Sequence, residues 1–110
     1  MSKTLAALRN HVIVCGYGRL GRVVGEELAR SGVPQVIIEE DAALAARIES
    51  PTRPVIVSSA CDEGVLEQAG VERARAIVAA TSSEAINVYI ALAAREANPS
   101  IAIHARFLKV

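Results

Sequence analysis

Val12-Ile13-Val14-Cys15 runs straight into Gly16-Tyr17-Gly18-Arg19-Leu20-Gly21, and few backbone arrangements accommodate that junction. Four apolar residues of high strand propensity meet a glycine-rich turn. An amphipathic pattern then begins, with Leu20, Val23, Val24 and Leu28 at the three- and four-residue steps of a helix. Gly16 permits the tight turn, Gly18 has no side chain to keep a phosphate from the backbone, and Gly21 lets the helix lie close to the strand. The unpaired N–H groups and positive dipole end of the helix then face the same phosphate. Strand, G-x-G-x-x-G and helix together form the dinucleotide-binding fingerprint. Its second half is present too: Val36-Ile37-Ile38 reads as a buried strand, and Glu39 stands at its end, roughly 20 residues on, where a ribose-binding acid belongs.

Beyond this junction, strands and helices alternate strictly. The first strand is His11 to Cys15, and His11, at the end remote from the glycine turn, is expected to be solvated there. Helix Arg19 to Arg30 stops at Ser31-Gly32, ahead of Pro34. Strand Gln35 to Glu39 leads to a helix from Ala42 to Glu49, with Asp41 as its N-cap and Pro51 beyond it. Strand Pro54 to Val57 and the loop Ser58-Ser59-Ala60-Cys61 precede a helix that Asp62 is expected to cap and Gly70 to end. Strand Ala76 to Ala80 is followed by Thr81-Ser82-Ser83-Glu84, whose spacing predicts a capping box. The last helix runs to about Ala97, before Asn98-Pro99, and the last strand is Ile101 to Ala105. This order predicts an α/β, Rossmann-like, doubly wound parallel sheet of strand order 3-2-1-4-5 with helices on both faces. Its ligand crevice belongs where the order reverses, beside strands one and four.

Residues 1–10 read as a lead-in or linker, in which Leu5 and Leu8 suit one helical turn, and 11–110 as one domain with a core. Twelve basic residues balance 12 acidic ones without a block of either sign, so a nucleic-acid surface and a polybasic membrane patch are excluded. Two cysteines without metal-ligand spacing fit a reducing compartment, and buried Cys15 is expected to be inert. No apolar run approaches the ~18 residues of a membrane span, and no signal peptide is visible. Tyr89-Ile90-Ala91-Leu92-Ala93-Ala94 is apolar nearly all round. That surplus predicts a second buried side around Ile90, Leu92 and Ala94, hence self-association through this helix and the residues around Phe107.

The run from His11 to Glu39, the Leu66-x-x-Ala69-Gly70-Val71 segment and Ala79-Ala80-Thr81 followed by Asn87 resemble the nucleotide-binding lobe of regulator-of-potassium-conductance domains. These are also known as the Trk-type N-terminal domains of potassium channels and transporters. Leu8-Arg9-Asn10-His11 resembles the join between a channel's last pore helix and this domain. The resemblance implies binding of NAD(H), or of ADP, ATP or AMP, and assembly into dimers or larger rings. It also implies cytoplasmic control of a membrane-embedded potassium channel or transporter subunit, at the inner face of the membrane. On the same grounds Gly16, Tyr17, Gly18, Arg19, Leu20 and Gly21 would wrap the diphosphate, and Glu39, with Glu40 beside it, would take the ribose hydroxyls. Ser59, Ala60 and the adjacent Cys61 would flank the adenine, and Thr81 and Ser82 would close the pocket. Where the family usually shows Gly-Asp-Ala after strand three, this chain has Ser58-Ser59-Ala60.

A rival from another class is the cofactor-binding part of an oxidoreductase. That chemistry needs a proton donor aimed at the hydride position. Lys3 and Lys109 are terminal, His104 lies in the last strand among apolar neighbours, and Tyr17 sits in the glycine turn. No catalytic residue is assigned, and a non-enzymatic sensor is the favoured expectation. Glu39, Glu40 and Asp41 set negative charge where a 2′-phosphate would lie, and no arginine follows strand two closely, so NADP is disfavoured.

Overall fold

The computed structural model describes residues 3–106. A short helix α1 (Lys3–Ala7) leads into β1 (Val12–Cys15), α2 (Arg19–Arg30), β2 (Gln35–Glu39), α3 (Ala42–Ile48) and β3 (Val55–Val57). After these come α4 (Val65–Gln68), a 3-10 turn (Val71–Arg73), β4 (Ala76–Ala79), α5 (Glu84–Ala97) and β5 (Ala102–Ala105). The five strands are all parallel and lie in the order β3-β2-β1-β4-β5. This is the doubly wound arrangement that the alternating pattern predicts.

Alternate residues of each strand feed opposite faces, because side chains alternate along a strand. Ile13, Cys15, Val36, Ile38, Ile77 and Ala79 pack on one face beneath α4 and α5, with Leu66, Ile90 and Ala94. Val12, Val14, Ile37 and Val78 pack on the other with Tyr17, Val24 and Leu28, beneath α2 and α3. β1 is buried at all four positions, as a central strand covered on both faces must be. Leu20 and Val23 of the α2 apolar stripe stay exposed, so only its Val24–Leu28 half is used for packing.

The register brings the carboxyl ends of the strands to one level. Cys15 is opposite both Ile38 and Ala79, Ala79 is opposite Ala105, and Glu39 is opposite Val57. One residue further along each strand therefore stand Gly16, Glu39, Val57, Ala80 and Arg106. Of this row, Gly16, Glu39, Ala80 and Arg106 line the crevice described below.

Four local expectations are corrected. His11 is not solvated: it is fully buried, and β1 begins after it. Its Nε2–H donates to the carbonyl of Ala69 at 2.7 Å, a partner 58 residues away that no local pattern announces. Asp62 does not cap α4, whose N-cap is Gly64. Its carboxylate instead accepts from Ser58 Oγ and Ser59 N, closing the loop after β3. The capping box is displaced as well: Ser83, not Thr81, is the N-cap of α5 and accepts from Ile86 N. Finally, Ile90 and Ala94 point into the core, so the surplus apolar side of α5 consists of Val88, Tyr89 and Leu92, the last 69% exposed. Phe107, expected to take part in the same surface, lies outside the described residues. Among the described residues, no helix is long and apolar enough to cross a membrane.

Candidate functional site: the crevice at the strand ends

At the carboxyl ends of the strands, where the order reverses between β1 and β4, a cleft of about 380 Å³ opens. The glycine turn forms its centre. Gly16 has φ +90, a left-handed conformation that favours glycine, and a Cβ there would meet the Ala80 carbonyl oxygen at 2.9 Å. Gly21 lies buried under the turn, where a Cβ would run into the Gly16 carbonyl. Gly18 is different, because a Cβ built on it meets nothing within 4 Å. The first and third glycines are thus needed for the turn's own packing, while the second leaves open space over the start of α2. No side chain caps α2 at Gly18, so the first-turn N–H groups of this helix have no partner from a cap.

Glu39 is held firmly at the β2 end. Its Oε1 accepts from the Tyr17 backbone N–H at 2.8 Å and its Oε2 from the Asp41 N–H at 2.9 Å. Asp41 in turn caps α3, accepting from Ala43 N and Leu44 N. Each Glu39 oxygen keeps further lone-pair capacity, and its orientation is set before any ligand arrives. The Tyr17 side chain turns away from the cleft mouth. It is buried beneath α2, where its ring would collide with a Cβ on Gly25, and it lies under the Arg53 guanidinium, 5.7 Å from ring centre to carbon. The glycine turn therefore offers backbone to the cleft and uses its tyrosine as a structural plug.

On the β4 side, Thr81 is fastened to Asn87, which is almost fully buried one turn into α5. Asn87 Oδ1 accepts from Thr81 N at 3.0 Å and from Thr81 Oγ1 at 2.7 Å. Its Nδ2 donates to the carbonyls of Thr81 at 3.1 Å and Arg106 at 2.9 Å. One amide thus ties together the ends of β4 and β5 and the start of α5.

Of the residues singled out from the sequence, Gly16, Tyr17, Gly18, Arg19, Glu39, Glu40, Ser59, Ala60, Thr81 and Ser82 all line the cleft. Three do not. Gly21 is buried below the turn, and Leu20 faces an apolar groove on the far side of α2. Cys61 is exposed beside Ser59, with its Sγ 3.0 Å from Ser59 Oγ, outside the lining. Asp41, expected to add negative charge where a 2′-phosphate would lie, lines the cleft as well, whereas sequence reasoning missed Arg106, Ser58 and Ile86. Arg106 was findable: it is the first residue past the last strand, at the same level as the glycine turn. Neither histidine lines the cleft, and burial pushes the Cys15 thiol up to about 12, so that thiol supplies no nucleophile. No group of His, Cys, Asp and Glu suited to a metal occurs among the described residues.

A parallel sheet in this order, with a glycine turn and a strand-end acid at its switch point, defines a Rossmann-type domain. The chain belongs to the TrkA-N domain family, whose model matches residues 12–109. It is 40% identical over 108 residues to potassium channel protein 1 of Methanocaldococcus jannaschii, covering 96% of this chain but 32% of that protein. The chain thus spans about a third of the length of that relative. The crystal structure of the TrkA-N domain of the inner membrane protein YbaL from Escherichia coli superposes with a TM-score of 0.82 at 28% identity, covering 88% of this chain and 72% of that one. The C-terminal domain of a Kef protein from Shewanella denitrificans, in an AMP-bound form, gives a TM-score of 0.76 at 29% identity, covering 86% and 57%.

Proposed function

We propose that this chain is a nucleotide-binding regulatory domain that senses NAD(H) or an adenine nucleotide and passes its occupancy to a potassium channel or transporter. The observation that carries the reading is the pairing of an open Gly18 with an anchored Glu39 across the same cleft. A diphosphate would lie on the exposed backbone of Gly18 and the first turn of α2, beside Arg19. The Glu39 carboxylate would accept from ribose hydroxyls, with Glu40 next to it, and the base would lie toward Ser59 and Ala60 at the β3 end. Thr81 and Ser82 would close the opposite wall. The AMP-bound Kef domain and the potassium channel relative support both halves of the proposal.

The domain has no chemistry of its own in this reading. The Tyr17 hydroxyl faces Arg53 rather than the cleft, and no side chain lining the cleft is placed as a proton donor to a reacting carbon. Output must then be a change in association, since a ligand shifts an equilibrium only through different affinity for its two states. α5 offers the route. Its N-terminus is tied to Thr81 at the cleft, and Val88, Tyr89 and Leu92 on its flank are exposed for a second copy of the chain. The domain would sit on the cytoplasmic side, at the inner face of the membrane whose channel or transporter it regulates.

Isothermal titration of the purified chain against NADH, NADPH, ADP and AMP, with sedimentation velocity on the same samples, tests this reading. Binding of NADH and adenine nucleotides, NADPH weaker than NADH, and a species larger than a monomer are expected. A strict monomer that binds none of the four would overturn it.

A further inference from the structure

Glu39 owes its orientation to two backbone donors from different elements, the Tyr17 N–H in the glycine turn and the Asp41 N–H at the start of α3. Both elements are tied a second time, away from the cleft, by one side chain. Arg53 Nε and Nη2 donate to the carbonyl of Ile48, the last residue of α3, at 2.9 and 2.7 Å. Its Nη1 donates to the Tyr17 hydroxyl at 3.3 Å. The Arg53 backbone is pinned in turn, since its N–H donates to Ser50 O at 3.0 Å and its carbonyl accepts from Ser50 N at 3.2 Å. The ties close a circuit that runs from Glu39 through Asp41, α3, Ile48, Arg53 and Tyr17 back to Glu39.

α3 has little else to hold it in place. Of its seven residues only Ala45 is fully buried, and a helix that short does not persist by itself. Its position therefore depends on its two ends, the Asp41 cap at one and the Arg53 guanidinium at the other, where a cation also suits the helix dipole. Tyr17 is 4% exposed, and with its hydroxyl bound to the same guanidinium the ring and the helix cannot shift independently. We infer that Arg53 is a positioning residue for the ribose end of the crevice. It does not line the cleft, and it acts from the far end of a helix about 10 Å long. By locking Tyr17 to α3 it keeps both Glu39 donors in register, so that the carboxylate is set before a ribose arrives. The inference rests on the nucleotide reading of the crevice and adds the residue that holds its acid in place.

Titration of ADP and 2′-deoxy-ADP into the wild-type chain, Arg53→Met, Tyr17→Phe and the double variant tests it, at a temperature where thermal melts show each protein folded. A hydroxyl that donates to a carboxylate corresponds to roughly tenfold in affinity, so the wild type should prefer ADP by about that factor. Arg53→Met should weaken ADP and cut the preference to about threefold or less, with 2′-deoxy-ADP within about twofold of its wild-type affinity. Tyr17→Phe keeps the bond to Ile48 and should cut the preference in the same direction. The double variant should lose no more than Arg53→Met does, because both changes open the same circuit. An Arg53→Met protein that melts lower yet keeps the full preference, or that weakens both nucleotides equally, would overturn the assignment and leave Arg53 a cap on α3. An unchanged preference in Tyr17→Phe would overturn it as well, whether or not Arg53→Met folds. A wild type that binds both nucleotides equally would remove the ribose role of Glu39 and this assignment with it, and one that binds neither would overturn the crevice reading itself.

Discussion

The two ends of the sheet use the same kinds of residue for opposite purposes. At the amino ends of the strands, polar side chains are buried or half-buried and consumed. His11 holds Ala69, Asn98 Nδ2 donates to the carbonyls of Val71 and Ala74, and Arg73 Nε donates to Leu8 O. At the carboxyl ends, Gly18, Arg19, Ser82 and Arg106 are exposed and line an open cleft. Both ends contain loops that interrupt the backbone ladders. At one end side chains satisfy the freed carbonyls, and at the other the first-turn N–H groups of α2, which no side chain caps, face the open cleft. A parallel sheet concentrates helix N-termini at its carboxyl end, so that end is the natural place for an anion and the other the natural place for internal ties. Asn87 shows that the division is not absolute, since its buried amide serves as a tie within the ligand end.

The largest expected effect comes from Gly18. A valine there finds room in the protein alone but occupies the space a phosphate needs. Binding should fall at least about 100-fold, or about 2.7 kcal/mol, while stability changes by no more than about 1 kcal/mol, the ordinary scale of an N-cap substitution. Titration with ADP beside urea unfolding measures both. Unchanged ADP affinity would remove the glycine turn from the site and dissolve the contrast between the two ends.

Asn98→Ala tests the other end. The side chain is 8% exposed, and its Oδ1 also accepts from Ser100 N and Ser100 Oγ. Truncation leaves the buried Val71 and Ala74 carbonyls short of a donor, so stability should fall by about 2 kcal/mol. Nucleotide affinity, measured where the variant is fully folded, should stay within about twofold. A large affinity loss in folded protein would mean that this part of the amino end communicates with the cleft.

How legible each end was in the sequence follows from the range of its interactions. The glycine turn and the acid at the end of β2 announce themselves, because local φ requirements and strand-end placement act within a few residues. The strict alternation of apolar strands and amphipathic helices was enough for the sheet order. Helix starts were misjudged where several small polar residues compete. In Thr81-Ser82-Ser83, the capping role went to Ser83 because Thr81 Oγ1 was already taken by Asn87 and by the Ser83 N–H. Near Asp62, the carboxylate found Ser58 and Ser59 before it, and the helix started two residues later. The burial of His11 and the exposure of Leu92 depend on which distant elements cover them. A periodicity in one helix cannot reveal which half of an apolar surface has a partner.

The smallest expected effect, and the sharpest probe of the amino end, is the pH response of His11. Its Nε2–H donates to Ala69 O, which leaves Nδ1 as the bare nitrogen, and no partner among the described residues reaches it. Burial holds the imidazole below its ordinary pKa of 6.5, the Ala69 hydrogen bond opposes that, and the Arg73 guanidinium adds to the lowering. The folded chain therefore resists a proton that the unfolded chain accepts. Stability from this group is complete above about pH 6.5 and is lost as pH falls from there toward the lower folded value. Urea unfolding at pH 8 and pH 5.5 should show this loss in the wild type and less of it in His11→Gln, which keeps a donor near Ala69 and cannot titrate. His104 is exposed on β5 and is present in both proteins, as are the carboxylates, so the difference between the two slopes isolates His11. Identical slopes would show that the His11 ring reaches water after all, and that the amino end is less tightly closed than the cleft it is contrasted with.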